Sequence, residues 1–281
     1  MKKPVIALLL FLLSALTSPS FAQKAKGSLF IIGGGERSDS LIGHMVRTAS
    51  LRSGDYIVIL PMASEQPEAG YALISRQLAR HTNAPVLNFN LSSAGAPRDR
   101  WTDSLKNARL IYILGGDQNR FMRSVLHSPA FEAIHDAFRN GATIAGTSAG
   151  AAVMSRYMIT GRQLLDTVYN ETFDKLRADN IEFAEGLGLL QNTIIDQHFL
   201  KRSRYGRLLS ALAAKPDHIC VGIDESTAII VRGDHATVVG ESQVLRFSGG
   251  TNRNRTSGSL LQMKKVELDI FTAGETMMIK P

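Results

Sequence analysis

Short, almost unbroken apolar runs recur along the chain, each closed by glycine or proline and each followed by apolar residues at helical spacing. Ser28 to Ile32 ends in Gly33-Gly34-Gly35, and Asp39 to Leu51 follows with Leu41, Met45 and Ala49 on one helical face. Tyr56 to Pro61 precedes a helical pattern from about Glu68 to Arg80, Pro85 to Leu91 forms a third run, and Leu110 to Leu114 a fourth. Helical patterns near Phe121 to Leu126 and Ala130 to Asn140 lead into Ala142-Thr143-Ile144-Ala145. Strands that do not alternate apolar with polar residues are buried on both faces, so this order predicts an α/β domain with a parallel sheet between helical layers. Ile194 to Gln197 ends another strand, and Arg207 to Ala214 is a short helix with Leu208, Leu209 and Leu212 on one face. From Ile219 onward, β runs alternate with turn signals such as Arg232-Gly233-Asp234 and Ser248-Gly249-Gly250, a β-rich end to the same domain. Thr160 to Ala184 has poor periodicity and high charge, which predicts a surface excursion or lid. No repeat or long linker divides the chain, so residues 23–281 read as one domain.

The first residues follow another pattern. Lys2 and Lys3 precede an uncharged, mostly apolar stretch from Val5 to Leu16, and Ser20-Phe21-Ala22 has the small-x-small form of a cleavage site. Residues 1–22 therefore read as a signal peptide, too short in their apolar part for a comfortable membrane span, and the mature chain as exported to the periplasm or medium. Cleavage there would remove two lysines from a chain of 281 residues with formal charge +7. No long Lys/Arg run remains, so nucleic acid is not an expected partner, nor is a membrane after cleavage. Cys220 is the only cysteine. It sits in the apolar run His218 to Gly222 and reads as a small core residue, so the fold stands on packing without an internal disulfide.

Chemistry enters at Gly146-Thr147-Ser148-Ala149-Gly150, between the Ala142 to Ala145 run and Ala151-Ala152-Val153-Met154. A strand, a sharp turn and a helix would hold the Ser148 hydroxyl up at a helix N-terminus, as a nucleophile is held. A serine hydroxyl needs a base, normally histidine, and that imidazole needs an acid to fix its tautomer. Of seven histidines, His44, His81, His127 and His135 fall in helical patterns, His218 precedes a strand and His235 sits in a turn. His198 directly follows Thr193-Ile194-Ile195-Asp196-Gln197, where site loops stand. Glu225 closes the run from Cys220 in the same way, with Asp224 as its rival for the acid. Oxyanion donors would be the N–H of Ala149 and the turn Gly115-Gly116-Asp117, with Gly116 in that role. The triple glycine reads as a tight turn lining the site rather than a nucleotide loop. The order serine, histidine, acid differs from the serine, acid, histidine order of α/β-hydrolases. On one helix Arg204 and Arg207 would share a face opposite Arg202, so three convergent guanidiniums need Arg202 or Arg204 in the loop before it. Their planar forks suit a carboxylate.

Gly115-Gly116-Asp117-Gln118, Gly146 to Ala151, Asp196-Gln197-His198-Phe199 with the three arginines, and Gly222-Ile223-Asp224-Glu225 together resemble the cyanophycinases. These are serine peptidases related to the aspartyl dipeptidases, and the resemblance runs from about Gly33 to Ala228. It implies a three-layer sandwich of the class I glutamine-amidotransferase-like type with a β-rich C-terminal part. It implies Ser148 as nucleophile, His198 as base, Glu225 as orienting acid, and Gln118, Asp196, Gln197, Arg202, Arg204 and Arg207 around the substrate, with no metal and no cofactor. The substrate implied is cyanophycin, a polyaspartate carrying arginine on its side-chain carboxyls, cleaved to β-aspartyl-arginine dipeptides. An exported aspartyl or isoaspartyl dipeptidase with the same triad and a catalytically idle binding protein on this fold are the alternatives. A homodimer is compatible with the resemblance, although the sequence carries no signal for oligomeric state.

Overall fold

The computed structural model describes residues 25–91, 98–166, 168, 172–173, 175–252 and 256–280. The Met1 to Ala22 segment read as a signal peptide lies outside the described residues. Strand β1 (Ser28–Ile32) is buried throughout and runs into the glycine turn. Helix α1 (Asp39–Ala49) starts at Ser38, whose Oγ accepts from the Leu41 N–H at 3.3 Å, and it buries Leu41, Ile42, Met45 and Ala49. Next come β2 (Ile57–Leu60), α2 (Pro67–Leu78), β3 (Val86–Asn88), α3 (Arg98–Lys106), β4 (Leu110–Ile113), α4 (Gln118–Val125), α5 (Pro129–Asn140), β5 (Thr143–Thr147) and the single turn α6 (Ala149–Ala152). Helix α3 is hard to see in the sequence because its apolar stripe is only Trp101 and Leu105. Leu105 is buried and Trp101 stacks on Phe89 with ring centroids 5.1 Å apart.

The second half contains β6 (Tyr157–Gln163), β7 (Ile181–Glu185), β8 (Thr193–Gln197), α7 (Tyr205–Ala214), β9 (Ile219–Ile223), β10 (Thr227–Arg232), β11 (His235–Gly240), β12 (Val244–Asn252), β13 (Met263–Phe271) and β14 (Thr276–Met278). The main sheet has eight strands in the order β14-β11-β10-β1-β5-β4-β2-β3. β1, β5, β4, β2 and β3 are mutually parallel, while β10, β11 and β14 extend the β1 edge in antiparallel fashion. Phe30, Ile59, Tyr112 and Ala145 face α1 and α2, and Ile31, Val58, Ile111 and Ile144 face the side of α4, α5 and α6. Burial on both faces is why these strands read as continuous apolar runs, and it produces the expected layers. Register aligns Ile32 with Thr147 and Ile113 with Gly146, so the turns after β1, β5 and β4 are neighbours at one edge.

The histidine and acid strands do not join the main sheet. β8 and β9 are parallel neighbours in a second sheet of order β13-β12-β9-β8. Its Ile195, Val221, Ile223 and Val244 pack into the main core, and its Ile194, Cys220, Leu245 and Phe247 pack with Leu208 and Leu212 of α7. The β-rich end is thereby divided between two sheets, a division that strand periodicity cannot reveal because it reports burial and not partner. The segment from Thr160 to Ala184 begins in β6 and ends in β7, which pair in antiparallel fashion with Ile181 buried. The glycine turn after β1 joins both sheets: Gly33 N–H donates to Thr227 O at 2.9 Å, His198 N–H to Gly33 O at 2.7 Å, and Ser226 N–H to Gly34 O at 3.0 Å.

Candidate active site

Ser148 stands between β5 and α6 with φ 51° and ψ −111°, a strained conformation for a residue with a Cβ. Its N–H donates to Ile32 O at 3.0 Å, and its carbonyl accepts from the N–H groups of Ala151 and Ala152 at 2.9 and 3.0 Å. Gly150 is required two residues on, because a Cβ there would lie 2.4 Å from the Ile113 carbonyl oxygen. The hydroxyl therefore sits on a turn that packs directly onto β4, at the sheet's carboxyl edge.

The Ser148 Oγ lies 2.8 Å from His198 Nε2, and His198 Nδ1 lies 2.6 Å from Glu225 Oε1. An Nδ1–H donated to the carboxylate leaves Nε2 as acceptor for the serine hydroxyl, the arrangement a general base needs. Burial, the largest influence, lowers the imidazole pKa, and the charges of Arg202 and Arg204 lower it further. The hydrogen bond and charge of Glu225 oppose them without reversing the direction. The ring is thus neutral and able to accept a proton near pH 7. Gly34, at φ 115°, packs flat against this ring, and a Cβ on it would lie 2.3 Å from His198 Cε1.

The two adjacent carboxylates have different partners. Asp224 Oδ1 accepts from the N–H groups of Leu200 and Lys201 at 3.1 and 3.0 Å, and its Oδ2 accepts from Ser242 Oγ at 2.7 Å. Glu225 alone of the pair reaches the imidazole. Asp224 instead ties down the loop that follows His198, which nothing in the sequence signalled.

Three placements differ from the sequence reading of the substrate surface. Asp196, Arg204 and Arg207 are 1%, 3% and 4% exposed, so they do not present a set of guanidiniums to a ligand. Arg207 grips Asp196 with two nitrogens, its Nε 2.8 Å from Oδ2 and its Nη2 on Oδ1. Arg204 donates to the Gln197 carbonyl at 2.6 Å and to the Gln197 side chain. The cluster is a buried charge pair because Asp196, inside the second sheet, would otherwise be an uncompensated anion. Arg202 and Arg204 both precede α7, and Arg202 is half-buried beside His198. Gln118 donates its amide N–H groups to the carbonyls of Ile159 and Thr160 at 3.1 and 3.0 Å, joining α4 to β6.

A cavity of about 230 Å³ opens beside Ser148 and His198, walled by Gly34, Arg37, Leu114 and Gly115. It adjoins one of about 650 Å³ that reaches Glu65, Gly116 and Asp117, with Ser64, Gly70 and Leu73 lining both. Gly115 is the member of its turn that touches Ser148, a Cβ there falling 3.4 Å from the serine Cβ. Gly116 lies exposed, one residue further out. Ala149, the first helical residue, has no intrahelical acceptor for its N–H. His135 and His81 lie elsewhere, at 2.7 Å from Leu187 O and 3.1 Å from Asp39. Among the described residues, no group of three or more His, Cys, Asp or Glu side chains is arranged to hold a metal ion. Arg37 and Ser64 carry no motif, and only the cavity shows that they belong to the site.

The sequence profile of peptidase family S51 matches residues 29–239. The cyanophycinase of Trichormus variabilis is 35% identical over 231 residues, 79% of this chain and 74% of that one. The cyanophycinase of Geminocystis herdmanii is 31% identical over 236 residues, 81% of this chain and 82% of that one. The crystal structure of a peptidase from an acI-B1 Actinobacterium superposes with a TM-score of 0.64 at 22% identity, covering 91% of this chain and 98% of that one, a likeness of fold.

Proposed function

The chain belongs to peptidase family S51, a serine-type peptidase, and on that footing we propose that it is an exported enzyme that hydrolyses cyanophycin to β-aspartyl-arginine dipeptides. The observation that carries this reading is the relay of Ser148, His198 and Glu225, with contacts of 2.8 and 2.6 Å, at the mouth of a cavity. The names of the relatives supply the substrate. The sequence of Met1 to Ala22 supplies the export, leaving residues 23–281 as the mature domain.

In the mechanism, His198 Nε2 takes the Ser148 proton as Oγ attacks the scissile carbonyl carbon. The oxyanion is met by the N–H of Ala149 and one N–H of the Gly115-Gly116 turn. The imidazolium, held by Glu225, returns its proton to the departing amine and leaves an acyl-enzyme. Water then repeats the cycle through the same imidazole and frees Ser148. Asp196, Arg204 and Arg207 act from behind by fixing the loop that carries His198.

Incubating the mature protein with insoluble cyanophycin and identifying the soluble products by mass tests the proposal, with β-aspartyl-arginine as the expected product. Hydrolysis of short aspartyl dipeptides with the polymer untouched would sink it in favour of a second reading, an aspartyl dipeptidase.

A further inference from the structure

The triad cavity contains one cation that no motif announced. Arg37, in the loop between β1 and α1, lines the wall facing Ser148. It is held in place from α2: its Nε donates to Gln77 Oε1 at 3.1 Å, while Gln77 Nε2 donates back to the Arg37 carbonyl at 3.4 Å. Only one edge of the guanidinium is engaged by this clamp, and the two terminal nitrogens remain as donors.

Two buried hydroxyls lie beside it. Thr147, which also lines the cavity, is 4% exposed, and Tyr112 is fully buried. Both side chains project from the face of the main sheet covered by α1 and α2. Tyr112 pairs with Ala145, so Thr147 is its diagonal neighbour on the next strand, within reach of an aromatic side chain. The two hydroxyls lie beside one another, close enough for Thr147 to act on the phenol, and no other group is in hydrogen-bonding range of either oxygen. Burial raises the phenol pKa and keeps it protonated, so it remains a donor, and Arg37 is near enough to oppose that shift. The Arg37 guanidinium and the Thr147 hydroxyl line a wall of the cavity that carries no carboxylate, with Tyr112 behind Thr147, and these are the makings of an anion site.

The geometry points to a carboxylate-binding subsite beside Ser148, formed by the Arg37 guanidinium clamped by Gln77 and backed by the hydroxyls of Thr147 and Tyr112. This inference rests on the proposed aspartyl-peptide substrate class and refines it. The carboxylate has two sources in that class: the free side chain of an aspartyl residue at the scissile bond, or the carboxylate of an arginine attached to it. It also moves substrate recognition from the buried Arg204 and Arg207 to a residue on the open side of the relay.

The test compares wild type with Arg37→Ala and Arg37→Lys on matched substrates. Aspartyl p-nitroanilide is paired with asparaginyl p-nitroanilide, and a β-aspartyl-arginine oligomer with its agmatine analogue, which lacks the carboxylate. Arg37→Ala should lower kcat/KM by about 30-fold or more on the carboxylate member of one pair and by less than about threefold on its neutral partner. The pair that responds identifies the source. Arg37→Lys, which keeps the charge without the fork, should fall between. Equal losses on both members of each pair, or none, would overturn the subsite. A second measurement does not depend on the substrate: succinate should slow fluorophosphonate labelling of Ser148 in wild type and lose that effect in Arg37→Ala. Protection that is absent in wild type, or the same in both proteins, overturns the subsite even if the cyanophycin reading stands. Protection lost in the variant supports it even if that reading fails.

Discussion

Gly34→Ala perturbs the imidazole without touching any member of the relay. A Cβ at this position would lie 2.3, 2.5 and 2.8 Å from Cε1, Nε2 and Nδ1 of His198, where ordinary contact begins at 3.4 Å. The ring would have to retreat by about 1 Å, and misplacements of that size can cost about 10²-fold in rate. The backbone adds to the damage. Gly34 has φ 115°, a region where a residue with a Cβ carries roughly 1–3 kcal/mol of strain. The rate of Ser148 labelling by a fluorophosphonate reports the activated hydroxyl, and thermal unfolding reports the strain, at about 2–4 °C per kcal/mol for a domain of this size. Repeating the substitution in a His198→Ala background separates the two effects, because the three nearest atoms are then gone while the φ strain remains. Gly34→Ala should therefore destabilise the wild-type protein more than it destabilises the His198→Ala variant. Labelling within threefold of wild type, or equal destabilisation in both backgrounds, would refute the idea that this glycine sets the position of the ring.

Four further outcomes follow from the same geometry. Ser148→Ala should abolish hydrolysis and labelling while leaving the melting temperature within a few degrees, measured side by side, since the elbow accepts a smaller side chain. Labelling rate against pH should fall on the acid side with a midpoint below 6.5, the ordinary histidine value, because burial lowers the His198 pKa. Arg202→Ala should move that midpoint up by removing a cation, and Glu225→Gln should move it down by removing an anion. The linkage has the same sign: the unfolded chain binds this proton first, so the His198 contribution to stability is complete above pH 6.5 and is lost as pH falls toward the folded pKa. Arg207→Met leaves Asp196 without its bidentate partner and should cost roughly 3–5 kcal/mol, with hydrolysis and labelling falling in parallel as the protein melts earlier. A selective loss of hydrolysis in a protein of unchanged stability would instead return Arg207 to the substrate. Asp224→Asn should loosen the loop after His198 and reduce labelling less than Glu225→Gln does, and the reverse ranking would show that the division between the two carboxylates is misread.

The main sheet was legible because its strands are apolar on both faces, and Ser28 to Ile32 and Leu110 to Leu114 differ from β1 and β4 by at most one residue. The elbow was legible because glycines flank a serine between a strand and a helix, and Ser148 has the strained torsions that such a turn needs. Strand partners were not legible: the apolar runs from Ile194 and Ile219 report burial but not partner, and β8 and β9 pair with each other in a second sheet. Nor could spacing distinguish arginines aimed at a substrate from arginines aimed at a buried aspartate. Asp196 is as apolar in its setting as the isoleucines beside it, and only its 1% exposure shows that Arg204 and Arg207 are needed to neutralise it. Arg37 escaped notice for the opposite reason, as a polar residue in a loop whose importance comes from a cavity assembled by α2, β4 and β5.

The second sheet explains why the chain order is serine, histidine, acid. Gln197 lies opposite Ile223 in the parallel pairing of β8 with β9, so His198, one residue past its strand, and Glu225, two past its own, emerge side by side. The contact between imidazole and carboxylate is thus set within one sheet by strand register. Ser148 comes from the other sheet, and the 2.8 Å between its Oγ and His198 Nε2 is the one contact of the relay that crosses between them. The Gly33 to Gly35 turn spans that crossing, its carbonyls receiving the N–H groups of His198 and Ser226 at 2.7 and 3.0 Å. Its flat backbone is also the surface on which the imidazole rests. Any residue with a side chain in the turn would push the sheets' contributions apart. The three glycines that read in the sequence as a tight turn lining the site are therefore also the spacer that brings a serine and a histidine from different sheets into hydrogen-bonding distance.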